Sequence, residues 1–216
     1  VQLIAANVDS AFVVTSCNAD FNVPRLERYV SVILEANIEP VIVLTKIDQA
    51  LDPETYQAEL RAAFPTVTYC AVNALNSESV ADLNPWCAEG QTIALLGSSG
   101  VGKSTLVNTL MGGEVQRTQA IREEDGKGRH TTTYRSAHLL PKGAVILDSP
   151  GMREFQMGDA DAGVAELFDD IEALAQACRF RDCAHNAEPG CAVQAAIARG
   201  QLDPRRLASY NKLRGQ

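Results

Sequence analysis

The stretch Gly97-Ser98-Ser99-Gly100-Val101-Gly102-Lys103-Ser104 has the spacing G-x-x-x-x-G-K-[ST], and those residue types suit one task, cradling a polyphosphate. Glycines let consecutive backbone N–H groups converge on phosphate oxygens, and a helix opening at the end of the loop adds its positive N-terminus. Lys103 is placed to reach the β- and γ-phosphates, Ser104 to offer its hydroxyl to Mg2+, and Thr105 follows on the same turn. Asp148-Ser149-Pro150-Gly151 is a second signal. Such a D-x-x-G beside a phosphate loop holds Mg2+ through water with its carboxylate and leaves the Gly151 N–H to sense the γ-phosphate. On its own the tetrapeptide marks any strand-ending turn.

Thr45-Lys46-Ile47-Asp48 has the chemistry to read a base. An Asp accepts from guanine N1–H and N2–H2 together; adenine lacks that donor pair, so ATP would leave the carboxylate unpaired. The Lys46 stem can lie along the base plane with its ammonium near water. Asn73-Ala74 offers a backbone N–H for guanine O6. By itself T-K-x-D is an ordinary solvated strand end, and the phosphate loop is what gives it meaning.

Cys178-x4-Cys183-x-His185-x5-Cys191 gathers three thiols and an imidazole into 14 residues. That set closes a tetrahedral Zn2+ shell with no place left for water, which is a structural rather than a catalytic arrangement. A module of about 40 residues supports little core of its own, so metal binding would supply folding energy. Disulfides or a chance cluster are the other readings. Cys17, Cys70 and Cys87 are isolated and read as core or near-surface residues.

The elements that position these residues are short. Ala11–Ser16, Pro40–Thr45, Thr66–Val72 and Gln91–Leu96 read as buried strands, with helices opening at Pro24, at Pro53 and at Lys103. Strand and helix in alternation predict an α/β fold, a doubly wound and mostly parallel sheet flanked by helices. Residues 112–128 predict a mobile loop, Tyr134–Leu140 and Ala144–Leu147 a hairpin across Pro141-Lys142-Gly143, and a final helix starts near Pro204. We expect a nucleotide-binding domain over 1–160 and a small helical zinc-binding domain over 161–216. The 216 residues are 46% hydrophobic and 21% charged, which excludes disorder and repeat arrays. Apolar runs are strand-sized, too short for a bilayer, and the start of the sequence has no basic-then-apolar leader, so a cytoplasmic protein without membrane contact is expected. Net charge is −8, yet residues 178–216 carry seven basic and three acidic residues. Arg179, Arg181, Arg199, Arg205, Arg206, Lys212 and Arg214 thus offer a face for RNA phosphates, or only a solvated surface.

The nucleotide motifs run in the order 45–48, 73–74, 97–104, threonines 131–133, then 148–151, a permutation of the order in conventional G proteins. The chain resembles the circularly permuted GTPases and, within them, the RsgA/YjeQ family of ribosome small-subunit-dependent GTPases. Ile4-Ala-Ala-Asn-Val-Asp9, Gly128-Arg-His-Thr-Thr-Thr133, Asp148-Ser-Pro-Gly-Met-Arg-Glu-Phe155 and Glu188-Pro-Gly-Cys191 carry the likeness, which covers nearly all of the sequence. The resemblance implies binding of GTP and GDP with Mg2+, hydrolysis stimulated by the small (30S) ribosomal subunit during its late maturation, contact with its rRNA, and one structural Zn2+ per chain on the four ligands above. A monomer is expected.

Thr132 is the switch threonine that the likeness favours for Mg2+, with Thr131 and Thr133 as neighbours; three threonines before a strand also fit plain β-propensity. Met152 stands where Ras-like enzymes place a water-orienting Gln. The family implies a catalytic histidine in the switch, here His130, which reads equally as a surface residue beside Arg129. Thr45 replaces the usual Asn of the base motif, and its hydroxyl cannot make the two-ended contact of an amide. Family members also carry an OB-fold ahead of the permuted domain, and this sequence starts where that domain would end. From another functional class comes a nucleotide-gated zinc adaptor for RNA or protein, in which hydrolysis is incidental.

Overall fold

The computed structural model describes residues 7–113, 136–148, 160–186 and 188–215. Strands β1 (Ser10–Ser16), β2 (Glu39–Thr45), β3 (Thr68–Ala71), β4 (Thr92–Leu96), β5 (Ser136–Leu139) and β6 (Val145–Asp148) form one sheet in the order β3-β2-β1-β4-β6-β5. Every neighbouring pair is parallel except β5 with β6. That antiparallel pair is the expected hairpin, closed by the Gly143 N–H donating to the Leu140 carbonyl, with Gly143 at φ +94°. The 112–128 loop lies outside the described residues from position 114 onward.

Central strands read as continuous apolar runs because they are covered on both sides: β1 is buried along its whole length. One sheet face, bearing Phe12, Val14, Val41, Val43, Ile93, Leu95 and Ile146, forms a core with Val80, Leu83, Leu106 and Val107. Leu106 and Val107 belong to helix α4 (Lys103–Leu110), so this core holds the helix that follows the phosphate loop. Helix α2 (Pro53–Ala63) starts where Asp52 caps the Glu54 and Thr55 amides, with Pro53 pre-set for the first turn. Asn76 caps the short α3 (Ser77–Val80) in the same manner, and a 3-10 turn over Ala81–Trp86 follows it. The chain passes from β1 to β2 to β3, then returns to the other side of β1 as β4. Strand order therefore reverses between β1 and β4, and ligands of open α/β sheets bind beyond the carboxyl ends of strands at such a point.

The chain separates into two compact units, Val1–Val23 with Ile38–Gln156, and Pro24–Asn37 with Met157–Gln216. Helix α1 (Val23–Glu35), the crossover from β1 to β2, falls within the second unit but for its first residue. The other helices of that unit are α5 (Asp161–Leu167), α6 (Asp169–Ala175), α7 (Ala192–Ala198) and α8 (Pro204–Arg214), and α1 meets α8 where the Glu27 carboxyl bonds Ser209. Gly163 of α5 sits so close to α1 that a Cβ would lie 1.9 Å from the Ser31 carbonyl oxygen, and its N–H donates to Glu35 Oε2 at 2.7 Å. Only glycine fits that crossing. Among the described residues no helix is long and apolar enough to cross a membrane.

Candidate functional site

The phosphate loop joins β4 to α4 and is shaped by three glycines at positive φ, Gly97 (+136°), Gly100 (+81°) and Gly102 (+99°). Val101 faces inward at 1% exposure and joins the core, which pins the middle of the loop, while Ser99 and Gly100 are exposed. Ser98, Ser104 and Thr105 are half-buried. Lys103 Nζ curls back over the loop and donates to the carbonyls of Gly97 at 2.7 Å and Ser98 at 2.6 Å.

Bonds from the distant base motif reach this loop directly. Thr45, at the end of β2, is fully buried, and its Oγ1 lies 2.5 Å from the Val101 carbonyl oxygen and 3.0 Å from that of Thr15. The next residue, Lys46, takes φ +58° and donates from Nζ to the Gly100 carbonyl at 2.7 Å. Asp48 follows two residues later on the exposed side. Burial pushes the Cys17 thiol at the end of β1 up to about 11, and the nearby Asp48 carboxylate adds to that rise. The Asn73-Ala74 loop is drawn in from the other direction, with Thr109 of α4 donating to the Ala74 carbonyl at 2.6 Å. Within that loop the Asn73 amide donates to Ser79 Oγ and the Leu75 amide to Asn73 Oδ1. Three segments far apart in sequence thereby meet beyond the carboxyl ends of the strands. Their meeting gives Thr45 a contact that the sequence did not suggest: its hydroxyl bonds the main chain of the loop at Val101 and of β1 at Thr15.

Asp148 ends β6, half-buried, in register with Leu95 of β4 two residues before Gly97. Adjacent parallel strands therefore deliver the carboxylate and the phosphate loop side by side. His130, Thr131, Thr132, Thr133, Gly151 and Met152 lie outside the described residues.

In the second unit the ligand atoms of Cys178, Cys183, His185 and Cys191 all lie within 4.8 Å of one another, a set able to hold a metal ion. Cys178 Sγ is 3.9 Å from Cys191 Sγ, and His185 Nδ1 is 3.7 and 3.5 Å from these two sulfurs. Bonds of about 2.3 Å to sulfur and 2.0–2.1 Å to nitrogen, set tetrahedrally, would separate such atoms by about 3.8 and 3.6 Å. The residues fit. Cys191 opens α7, where its sulfur accepts the Gln194 amide at 3.4 Å, and the Ala192 amide donates to Cys178 Sγ at 3.3 Å. Burial pushes the Cys178 thiol up, but the Ala192 and Val193 amides and the neighbouring thiols outweigh it and leave the thiol below its ordinary value. Burial raises the thiols of Cys87, in the core, and of Cys70, half-buried against it, to about 11.

Arg206 departs from the expected basic face. It is 7% exposed, paired bidentately with Asp170 at 2.6 and 2.9 Å, bonded to the Leu167 carbonyl and stacked 4.8 Å from the Phe168 ring. This cation locks α8 to α6 and is not available to a partner. Arg179, Arg181, Arg199 and Arg205 remain exposed. Sequence reasoning also missed Thr109 and Gln194, because only the folded chain brings their side chains to Ala74 and to the metal cluster.

A profile of the RsgA GTPase family matches residues 1–158. The small ribosomal subunit biogenesis GTPase RsgA 2 of Vibrio vulnificus is 58% identical over 212 residues, covering 98% of this chain and 61% of that protein. The small ribosomal subunit biogenesis GTPase RsgA of Mesorhizobium japonicum is 54% identical over 215 residues, covering 98% and 62%. The chain thus spans about three-fifths of the length of these relatives. Among solved structures, YjeQ of Thermotoga maritima superposes with a TM-score of 0.69 at 23% identity, over 96% of this chain and 70% of that one. YloQ, described as a circularly permuted GTPase, gives 0.67 at 26% identity, over 96% and 67%. A phosphate loop tied to a base motif that precedes it in sequence, together with a profile match across that whole permuted stretch, places this chain in the RsgA GTPase family.

Proposed function

We propose that this chain binds and hydrolyses GTP, and that it serves maturation of the small ribosomal subunit, as the names of its relatives state for them. The observation that carries the nucleotide reading is the pair of bonds from Thr45 and Lys46 to Val101 and Gly100, which sets the base motif against the phosphate loop. Asp48 is assigned to guanine N1–H and N2–H2, and the Ala74 amide to O6. Lys103 and the amides of the Gly97–Ser104 loop are assigned to the phosphates. Ser104, Asp148 and Thr132 would hold Mg2+, which when bound neutralises charge on the phosphate oxygens. Cys178, Cys183, His185 and Cys191 would hold a structural Zn2+, the metal that suits three thiolates and an imidazole in a closed shell.

The decisive assay measures hydrolysis of GTP and of ATP with and without purified small subunits. GTP turnover accelerated by the subunit, with ATP inert, is the expected result. Equal use of ATP removes the guanine assignment, and subunit binding without acceleration turns the protein into a nucleotide-gated adaptor. Asp48→Asn sharpens the test. The amide accepts from a purine N1–H and donates to a 2-oxo group, so xanthosine triphosphate should replace GTP as the better ligand, with GTP affinity falling by about 100-fold or more.

Thr45→Val removes one buried hydroxyl at nearly constant volume and leaves the Val101 and Thr15 carbonyls short of a donor, at a cost of about 1–2 kcal/mol. GTP and GDP affinity should fall together by roughly tenfold in a fluorescent-nucleotide titration, with the preference for guanine over xanthine retained. Thr45→Ser should restore affinity. A change in base preference instead would show that Thr45 touches the base.

A further inference from the structure

Glu188 lies between the third and fourth residues of the metal cluster and is used by neither the metal shell nor the nucleotide site. Its Oε1 accepts the Ala184 amide at 3.0 Å and its Oε2 accepts the Asn186 amide at 2.9 Å, so one carboxylate grips the backbone on both sides of His185. The His185 carbonyl is held in turn by Gln194 Nε2 at 2.5 Å. His185 itself is 6% exposed and sits at φ +59°, a left-handed conformation that costs a residue with a Cβ about 1–2 kcal/mol. No helix or strand runs through 181–186 to impose that conformation. Side chains impose it.

Charge argues that positioning is the purpose. Three neutral thiols that lose their protons to a dication leave the cluster with a net negative charge, so a neighbouring carboxylate opposes the loaded state electrostatically. Glutamine would avoid that repulsion but has a single acceptor oxygen, and could grip only one of the two amides. We infer that Glu188, seconded by Gln194, is a positioning residue that fixes His185 in the left-handed turn aiming Nδ1 at the metal.

This rests on the four residues being a metal site, and the test separates the two claims. The full chain is purified with zinc, and metal release to a chromogenic chelator is followed for the wild type, Glu188→Ala and Glu188→Gln. Loss of a group orienting a ligand commonly weakens metal affinity 10–100-fold. Glu188→Ala is therefore expected to release zinc at least tenfold faster, with Glu188→Gln in between. In the Co2+-loaded protein, Glu188→Ala should also alter the visible d–d bands as imidazole occupancy falls. Wild-type chain that holds no metal removes the site itself. Metal-loaded wild type with Glu188→Ala releasing within threefold of it overturns the positioning role alone. Release from Glu188→Gln slower than from wild type makes the carboxylate's charge its main effect and likewise overturns it. Should Glu188→Ala fail to accumulate, Gln194→Ala tests the same grip through the His185 carbonyl, and there too at least tenfold faster release is required.

Discussion

Gly97→Ala is expected to abolish measurable nucleotide binding while Gly100→Ala, three residues on, only weakens it. A Cβ at Gly97 would lie 2.2 Å from the Val14 carbonyl oxygen and 3.2 Å from its carbon, both main-chain atoms of β1. Strands β1 and β4 pair in parallel up to Val13 and Leu96, so the clash falls where the sheet hands over to the loop. Relief requires the strand ends to part, which moves every amide aimed at a phosphate. Gly97 is also at φ +136°, where L-residues are strained whatever the space around them. Clash and strain together should cost roughly 3 kcal/mol or more of stability. At Gly100 nothing lies within 4 Å of the added Cβ, so only the φ of +81° opposes it, a cost of about 1–2 kcal/mol. Thermal denaturation and nucleotide titration on the two variants measure the difference. Equal behaviour would mean that close packing of the loop on β1 does not govern the site.

Metal removal should have a comparably large but local effect. Structural zinc binding to small modules is worth about 10–16 kcal/mol near neutral pH, and here it would join residues across 178–191, whose described residues contain no helix or strand. A strong chelator is expected to open that segment and to release α7, whose first turn is capped by the Cys191 sulfur. The remainder of the unit should persist, because the Arg206–Asp170 pair and the edge-to-face contact of Tyr210 with Phe168, the residue before α6, join α8 to α6 without any metal. The sheet should persist too. Trp86, the one tryptophan of the chain, reports on it from beside Phe12 with its Nε1 bonded to Glu39. Chelation should thus speed proteolysis after Arg179 and Arg181 severalfold or more and leave Trp86 fluorescence unchanged. Unchanged proteolysis would refute the metal's structural role, and a shifted Trp86 signal would refute its confinement to the second unit.

The sequence by itself determined the type and order of the strands that carry the nucleotide motifs, the phosphate loop and the four candidate metal ligands. These are properties of near neighbours: apolar runs, glycine placement, helix-opening prolines such as Pro53, and Cys/His spacing. Tertiary structure alone decided how the pieces are joined. That Thr45 would spend its hydroxyl on Val101, 56 positions away, depends on β2 and β4 both flanking β1. That Arg206 would be buried on Asp170 while adjacent Arg205 stays exposed depends on which face of α8 meets α6. The assignment of α1 to the second unit depends likewise on the close approach that Gly163 permits. Hydrogen bonds and ion pairs between distant segments leave no period in a sequence, since each partner need only be polar and present; geometry selects the pair.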